Sequence, residues 1–182
     1  KRTSLLPILM LALSFSFYSC SDDDDGSGNL PPVMNNTIAD VVIANENYSV
    51  LEAALIKTDL VSTFQGSSEY TVFAPNDQAF QNFLSDNGFS SLDDVPTEVG
   101  TQVLLYHVVP GNLQAADLQT QYYSTLSLEE DSQAYLSLYA DTSSGVELNG
   151  ATAVTTPNIE ADNGVIHGIE TVLSLPTVAD LA

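Results

Sequence analysis

Two histidines, one cysteine and an abundance of hydroxyl and carboxyl groups are what this chain has to do chemistry with. His107 and His167 both stand inside apolar, strand-like runs, Tyr106 to Gly111 and Val165 to Leu173. An imidazole there would serve as general base beside a serine, with a carboxylate to orient it, or would ligate a metal. Serines and acids are so plentiful that meeting the first requirement on paper carries no weight. No Gly-Xaa-Ser-Xaa-Gly elbow, phosphate loop or dinucleotide fingerprint occurs. Tetrahedral metal sites take three or four ligands, and no His-rich helix or cysteine cluster is present to complete one. The plainer reading is a semi-buried histidine that bonds backbone, so neither cofactor nor metal is expected.

The 24 acids invite a calcium reading. An EF-hand loop places its acids at alternate positions and follows them with Gly and Glu. Asp22 to Asp25 are contiguous instead, and Glu129 to Asp131 lie in an apparent loop, so both read as solvated charge. Tyrosines are the better lead. Tyr122, Tyr123, Tyr135 and Tyr139 sit on strands or their ends, and a tyrosine joins a flat apolar face to a hydroxyl, which suits glycan or protein contact. Core filling is the alternative for each.

The charge balance narrows the partners. Three Lys or Arg against 24 Asp or Glu give −21 in 182 residues. Two of the three basic residues are Lys1 and Arg2, so a chain cleaved after Ser19 keeps Lys57 alone against 24 acids, a balance of −23. Phosphate neutralisation needs a basic patch, and none can be built, which argues against nucleic-acid binding and against polybasic attachment to anionic lipid. Solubility in a salty medium accounts for the acidity.

Residues 1–20 read as an export signal: Lys1-Arg2, an apolar run from Leu5 to Phe17, and a small residue, Ser19, before the single cysteine. The run is too short to span a bilayer. Cys20 with the acidic and glycine-rich segment behind it looks like a bacterial lipobox, which implies a lipidated Cys20 at the mature N-terminus. An ordinary secretory signal with an incidental cysteine is the alternative. Residues 21–35 read as a tether, with Asp22 to Asp25 mutually repelling and Gly26 to Pro32 first flexible and then stiffer. The acidic run also resembles the surface-export signal of Bacteroidetes lipoproteins. On that resemblance the domain is exported and anchored to the outer membrane, at the cell surface or otherwise in the periplasm.

The elements that must position the tyrosines and histidines fall into two textures. Thr37 to Ala44, Tyr48 to Thr58, Leu60 to Phe64 after a capping Asp59, and Pro96 to Leu105 read as helices, with one more turn at Ser91 to Val95. Tyr70 to Ala74 reads as a buried strand stopped at Pro75, and Asn76 caps the helix through Phe80 and Phe83 to Gly88. Beyond Leu113 the pattern alternates: Tyr122 to Leu128, Ala134 to Ala140, then hairpins at Asn149-Gly150 and Asp162-Asn163-Gly164, where Asn-Gly supplies positive φ. Helices first and an antiparallel sheet after them predict an α+β fold. Thr177 to Ala182 echoes Thr37 to Val42 at an offset of 140 residues, the start of a second repeat or a short C-terminal helix.

Three separated stretches carry a resemblance to the fasciclin domain family. Thr71-Val-Phe-Ala-Pro-Asn-Asp-Gln-Ala-Phe80 is similar to the family's first signature, Leu105-Tyr-His-Val-Val-Pro-Gly111 to its tyrosine-histidine motif, and Asn163-Gly-Val-Ile-His-Gly-Ile-Glu-Thr-Val-Leu173 to its last. Asn76 stands where the family usually has Thr, and Gly168 and Glu170 where it usually has a β-branched residue and Asp. The resemblance covers residues 36–176. It implies a wedge of antiparallel strands with helices packed along it, a role in adhesion or matrix contact, and no catalysis. By position it carries over to Tyr106 and His107 the segment implicated in integrin binding in animal members. The expected partner is extracellular matrix, a cell-surface protein or a polysaccharide, with Tyr106, His107, Tyr122 and Tyr123 as contact residues. A carbohydrate-binding module is the second reading, and an envelope hydrolase the third.

Overall fold

The computed structural model describes residues 36–129 and 133–176. The expected export signal, Cys20, the tether and the echo at 177–182 lie outside the described residues. Helices come first. Thr37 caps α1 (Ile38–Ile43) in a reciprocal box, accepting from the Asp40 amide while the Asp40 carboxylate accepts from the Thr37 amide at 2.9 Å. A 3-10 turn (Glu46–Tyr48) opens α2 (Ser49–Lys57), and α3 (Val61–Gln65) follows. Asp59 does not cap that helix as expected. It takes a left-handed φ of 58°, a conformation Asp tolerates better than most residues, and Leu60 holds the cap position without a side-chain bond.

The corner at Pro75 forms as its residues dictate. β1 (Tyr70–Pro75) ends at the proline, and Asn76 Oδ1 accepts from the Ala79 amide at 2.8 Å to start α4 (Asp77–Asp86). A 3-10 turn (Leu92–Asp94) precedes α5 (Thr97–Tyr106) and β2 (Val108–Pro110). His107 is therefore not inside a strand: it is the C-terminal cap residue of α5. Then come β3 (Gln121–Leu128), β4 (Tyr135–Asp141), β5 (Glu147–Leu148), β6 (Thr152–Ala161) and β7 (Gly164–Ile169).

The fold is α+β, built on a seven-stranded sheet in the order β2-β1-β7-β6-β5-β4-β3. The expectation of purely antiparallel strands is corrected, because β1 runs parallel to β7, from Tyr70 opposite Gly164 to Pro75 opposite Ile169. Both strands are buried along nearly their whole length, as parallel neighbours covered on two faces must be. β6 is shared between two leaves. Thr152 and Ala153 pair with β5, whereas Val154 to Ala161 pair with β7 through two register shifts that bend the strand.

Alternation along the central strands divides the core in two. Val72, Ala74, Val108 and Ile166 face the helices, beside Ile38, Leu51, Phe64 and Phe80. Phe73, Val109 and Ile169 face the other way, onto Leu138, Ala140 and Leu148 of the second leaf. Burying a ring such as Phe73 contributes about 2–3 kcal/mol. Gly164 is dictated by close approach: at φ 146°, a Cβ built there would lie 1.9 Å from the Tyr70 carbonyl oxygen. Gly168 is held to glycine by its surroundings too, since a Cβ there would lie 2.7 Å from the Tyr48 hydroxyl.

Lys57, the single basic residue outside the N-terminus, is spent on architecture. Its ammonium donates to the carbonyls of Leu92, Asp93 and Val95 at 2.7, 3.0 and 2.7 Å, tying the end of α2 to the 3-10 turn before α5. Charge-assisted bonds contribute about 1.5–3 kcal/mol. Lys57→Met, which keeps the stem and removes the three donors, is expected to lower stability by about 2 kcal/mol. A urea melt whose midpoint does not move would refute this.

Candidate functional site

The β3/β4 pair sets which tyrosines reach solvent. Adjacent residues on a strand point to opposite faces, so Tyr122 and Tyr123 cannot both look outward. Tyr122 is 72% exposed, while Tyr123 turns toward the core and its hydroxyl accepts from the Gln119 amide at 2.8 Å. Tyr139 stands directly opposite Tyr122 in the antiparallel register, and the two rings lie 5.0 Å apart at 49°. Tyr135, 61% exposed, is a second outward ring four residues along β4.

Behind this pair lies a built floor. Asn149, with a left-handed φ of 51° in the β5–β6 turn, accepts from the Tyr139 amide at 3.0 Å and donates to the Tyr106 hydroxyl at 3.0 Å. Its own amide donates to the Tyr139 carbonyl at 2.8 Å. The Tyr106 hydroxyl in turn donates to the Ser137 carbonyl at 3.0 Å. Together with the segment from Thr171 to Pro176 these residues enclose a groove of about 540 Å³. Three tyrosines line it, Ser137, Asn149 and Thr171 add hydroxyl and amide groups, and among the described residues no lining residue is charged.

The residues expected at the tyrosine-histidine motif are placed differently. Tyr106 and His107 are 1% and 2% exposed, so neither offers its side chain to a partner across the surface. Only the Tyr106 hydroxyl takes part in the groove, as its floor. The physical reason is the helix: α5 ends by delivering Tyr106 into the cluster between the two leaves and His107 among Ile38, Leu51, Val72 and Val108.

Both imidazoles are fully engaged by backbone. His107 Nδ1 donates to the Val103 carbonyl at 2.7 Å and its Nε2 accepts from the Leu173 amide at 2.8 Å. His167 uses the opposite tautomer, Nε2 donating to Leu113 at 2.9 Å and Nδ1 accepting from Asn158 at 3.2 Å. Burial pushes His107 down to about 4, against the smaller upward pull of its bond to Val103, and burial lowers His167 as well. Each ring therefore has one nitrogen donating and one accepting, with none left to take a proton from a nucleophile. Phe73 separates them, its amide bonded to the His107 carbonyl at 2.9 Å and its ring stacked 5.6 Å from His167. Among the described residues no group of three or more His, Cys, Asp or Glu is placed to hold a metal.

The residue that sequence reasoning undervalued is Asn163. It was expected to supply positive φ to a hairpin, but it is not among the positive-φ positions, and its side chain is fully buried. The Oδ1 accepts from the Ile38 amide at 2.8 Å, and Nδ2 donates to the carbonyls of Phe64 and Gly66, both at 2.8 Å. One amide thus joins the start of α1, the end of α3 and the β6–β7 turn. The signal that could have found it was its place at the head of the third signature.

The fasciclin domain profile matches residues 46–176. The chain belongs to the fasciclin domain family. It is 34% identical over 136 residues to the uncharacterized protein sll1735 of Synechocystis, spanning 75% of this chain and 96% of that one. Against transforming growth factor-beta-induced protein ig-h3 of Sus scrofa the identity is 30% over 153 residues, 80% of this chain but 20% of that longer protein. Among solved structures, the FAS1 domain pair of the insect cell adhesion molecule fasciclin I superposes with a TM-score of 0.62 at 16% identity, over 82% of this chain and 54% of the pair. That likeness establishes a shared fold. The three signatures of this fasciclin domain form β1 with α4, the α5–β2 junction, and β7 with the segment after it. They meet because β1 lies between β2 and β7.

Proposed function

We propose that this fasciclin domain is an exported, lipid-anchored contact module that holds its cell to extracellular matrix, cell-surface protein or polysaccharide without catalysis. The observation that carries the reading is the division of labour among its reactive side chains. Both histidines are consumed by backbone bonds in the core, while an open tyrosine pair and an uncharged groove face solvent. Its relationship to a family that includes an insect cell adhesion molecule supports the same direction. Cys20, behind an apolar run and ahead of an acidic tether, would carry the acyl chains and hold the domain at the outer membrane, on the cell surface or in the periplasm.

Beads coated with the chain are expected to adhere to matrix or cell-surface material and leave it chemically intact. Hydrolysis of an ester, glycoside or peptide by the chain, lost in a His107→Ala variant that remains folded, would overturn the non-catalytic reading. Anchoring has its own test. Cys20→Ala is expected to move the protein from the membrane fraction to the soluble fraction, and its persistence in membranes would refute lipid attachment there.

A further inference from the structure

We infer that the groove beside Tyr122 and Tyr139 binds a neutral polysaccharide chain, with the tilted tyrosine pair as its stacking platform. The inference rests on the contact function proposed above and names the ligand class of that same surface. Its first support is electrostatic. In a chain with 24 acids, none of the described residues that line the groove is charged. Among the described residues nothing there meets the sulfate, carboxylate or phosphate of an anionic polymer, and no acid is placed to pair with the lysines or arginines of a basic protein. The contrast within the molecule is sharp: a second groove of similar volume, between the Glu46–Tyr48 turn and β7, is lined by Glu46, Asp77 and Glu170.

The second support is chemical. A sugar ring presents a C–H face and a rim of hydroxyls, and it is matched by aromatic faces flanked by hydroxyl and amide groups. Tyr122 and Tyr139 supply the faces, 5.0 Å apart and tilted by 49°, so that successive residues of a twisting chain each meet a ring. Ser137, Asn149 and Thr171 supply the polar rim. Asn149 has committed one amide hydrogen to Tyr106 and its oxygen to Tyr139, leaving the second hydrogen for a ligand hydroxyl.

The third support is preorganisation. The Tyr139 backbone is held on both its amide and its carbonyl by Asn149, and Asn149 is held by Tyr106. Tyrosine has few rotors to immobilise, so little ordering entropy opposes binding. At about 540 Å³ the groove has the size of ordinary ligand clefts.

Electrophoresis of the full chain through gels containing neutral polysaccharides (dextran, laminarin, galactomannan, xyloglucan) or anionic ones (polygalacturonate, chondroitin sulfate) tests this. Retardation by at least one neutral polymer and by neither anionic one is expected. Tyr122→Ala should weaken it about tenfold, with the melting temperature unchanged because the ring is exposed, and Tyr135→Ala should leave it intact. No retardation by any neutral polymer, or retardation that survives Tyr122→Ala, overturns the inference. Beads that adhere while no neutral glycan slows the chain would refute this ligand class alone. Tyr122-dependent retardation with no bead adhesion would refute the adhesion reading and leave this one standing.

Discussion

Replacing Asn163 by leucine is expected to lower the unfolding free energy by about 4 kcal/mol, the largest loss from any single side-chain amide in this domain. Its side chain makes three bonds of 2.8 Å inside the core, to the Ile38 amide and to the Phe64 and Gly66 carbonyls. Leucine has similar volume and no polar atoms, so the helices keep their packing while three backbone groups lose their partner. Each such group costs about 1–3 kcal/mol when left unpaired away from water, and a domain has about 5–15 kcal/mol in all. Asn163→Asp separates bonding from shape. The carboxylate can still accept from Ile38 but sets its second oxygen against two carbonyls, which favours the protonated form and raises its pKa in the fold. The folded variant then binds more protons than the unfolded chain above about pH 4, so its stability relative to wild type must fall as pH rises. Equal denaturation midpoints for wild type and Asn163→Leu, or a pH-independent deficit in Asn163→Asp, would show that the three bonds contribute little.

Asn163 also marks where local reading stopped. The corner at Pro75 and Asn76 was legible because a missing N–H and a capping oxygen act within four residues. The Asn149-Gly150 turn was legible for the same reason, both residues having positive φ. The partners of Asn163 lie 97 to 125 residues away, and no periodicity reports them. The parallel pairing of β1 with β7 was missed on similar grounds. Its one local trace was the mostly apolar make-up of each strand, broken only by Thr71 and His167, which alternation-based reading treats as a generic buried strand.

The exposed tyrosine surface was half legible. Tyr122 belongs to it, whereas its neighbour Tyr123 does not, because strand parity sends one of the two inward and the sequence carries no label for which. Tyr139, named among the strand tyrosines but not among the expected contact residues, completes the pair through its register with Tyr122. The helix expected over Pro96 to Leu105 formed, but it extends through Tyr106 with His107 as its cap, so the two residues read as strand-like end the helix and are buried. In this fasciclin domain the signature motifs build the seam between α5 and the strands, and the exposed rings of Tyr122 and Tyr135 come from strands outside them.

His107 should make that seam sensitive to acid. Its imidazole fits only as the neutral Nδ1–H tautomer, since Nε2 must keep a lone pair for the Leu173 amide. A proton on Nε2 would set two donors against each other at 2.8 Å and place a charge in a fully buried site where both ring partners are backbone groups. The folded pKa therefore lies at about 4, below the ordinary 6.5. Between those values the unfolded chain binds the proton and the folded chain does not, so stability rises with pH across the window and is lost as pH falls from 6.5 toward 4. The shift corresponds to about 3 kcal/mol at its acid end. His167 moves in the same direction, and carboxylates titrate near the lower limit, so the measurement is a difference. His107→Gln, which can donate and accept but not titrate in this range, is expected to be less stable than wild type at pH 7 and to close most of that gap by pH 4. His107→Ala should melt lower at every pH. A constant difference between wild type and His107→Gln from pH 7 to 4 would mean that the seam between α5 and the segment at Leu173 does not depend on a neutral imidazole.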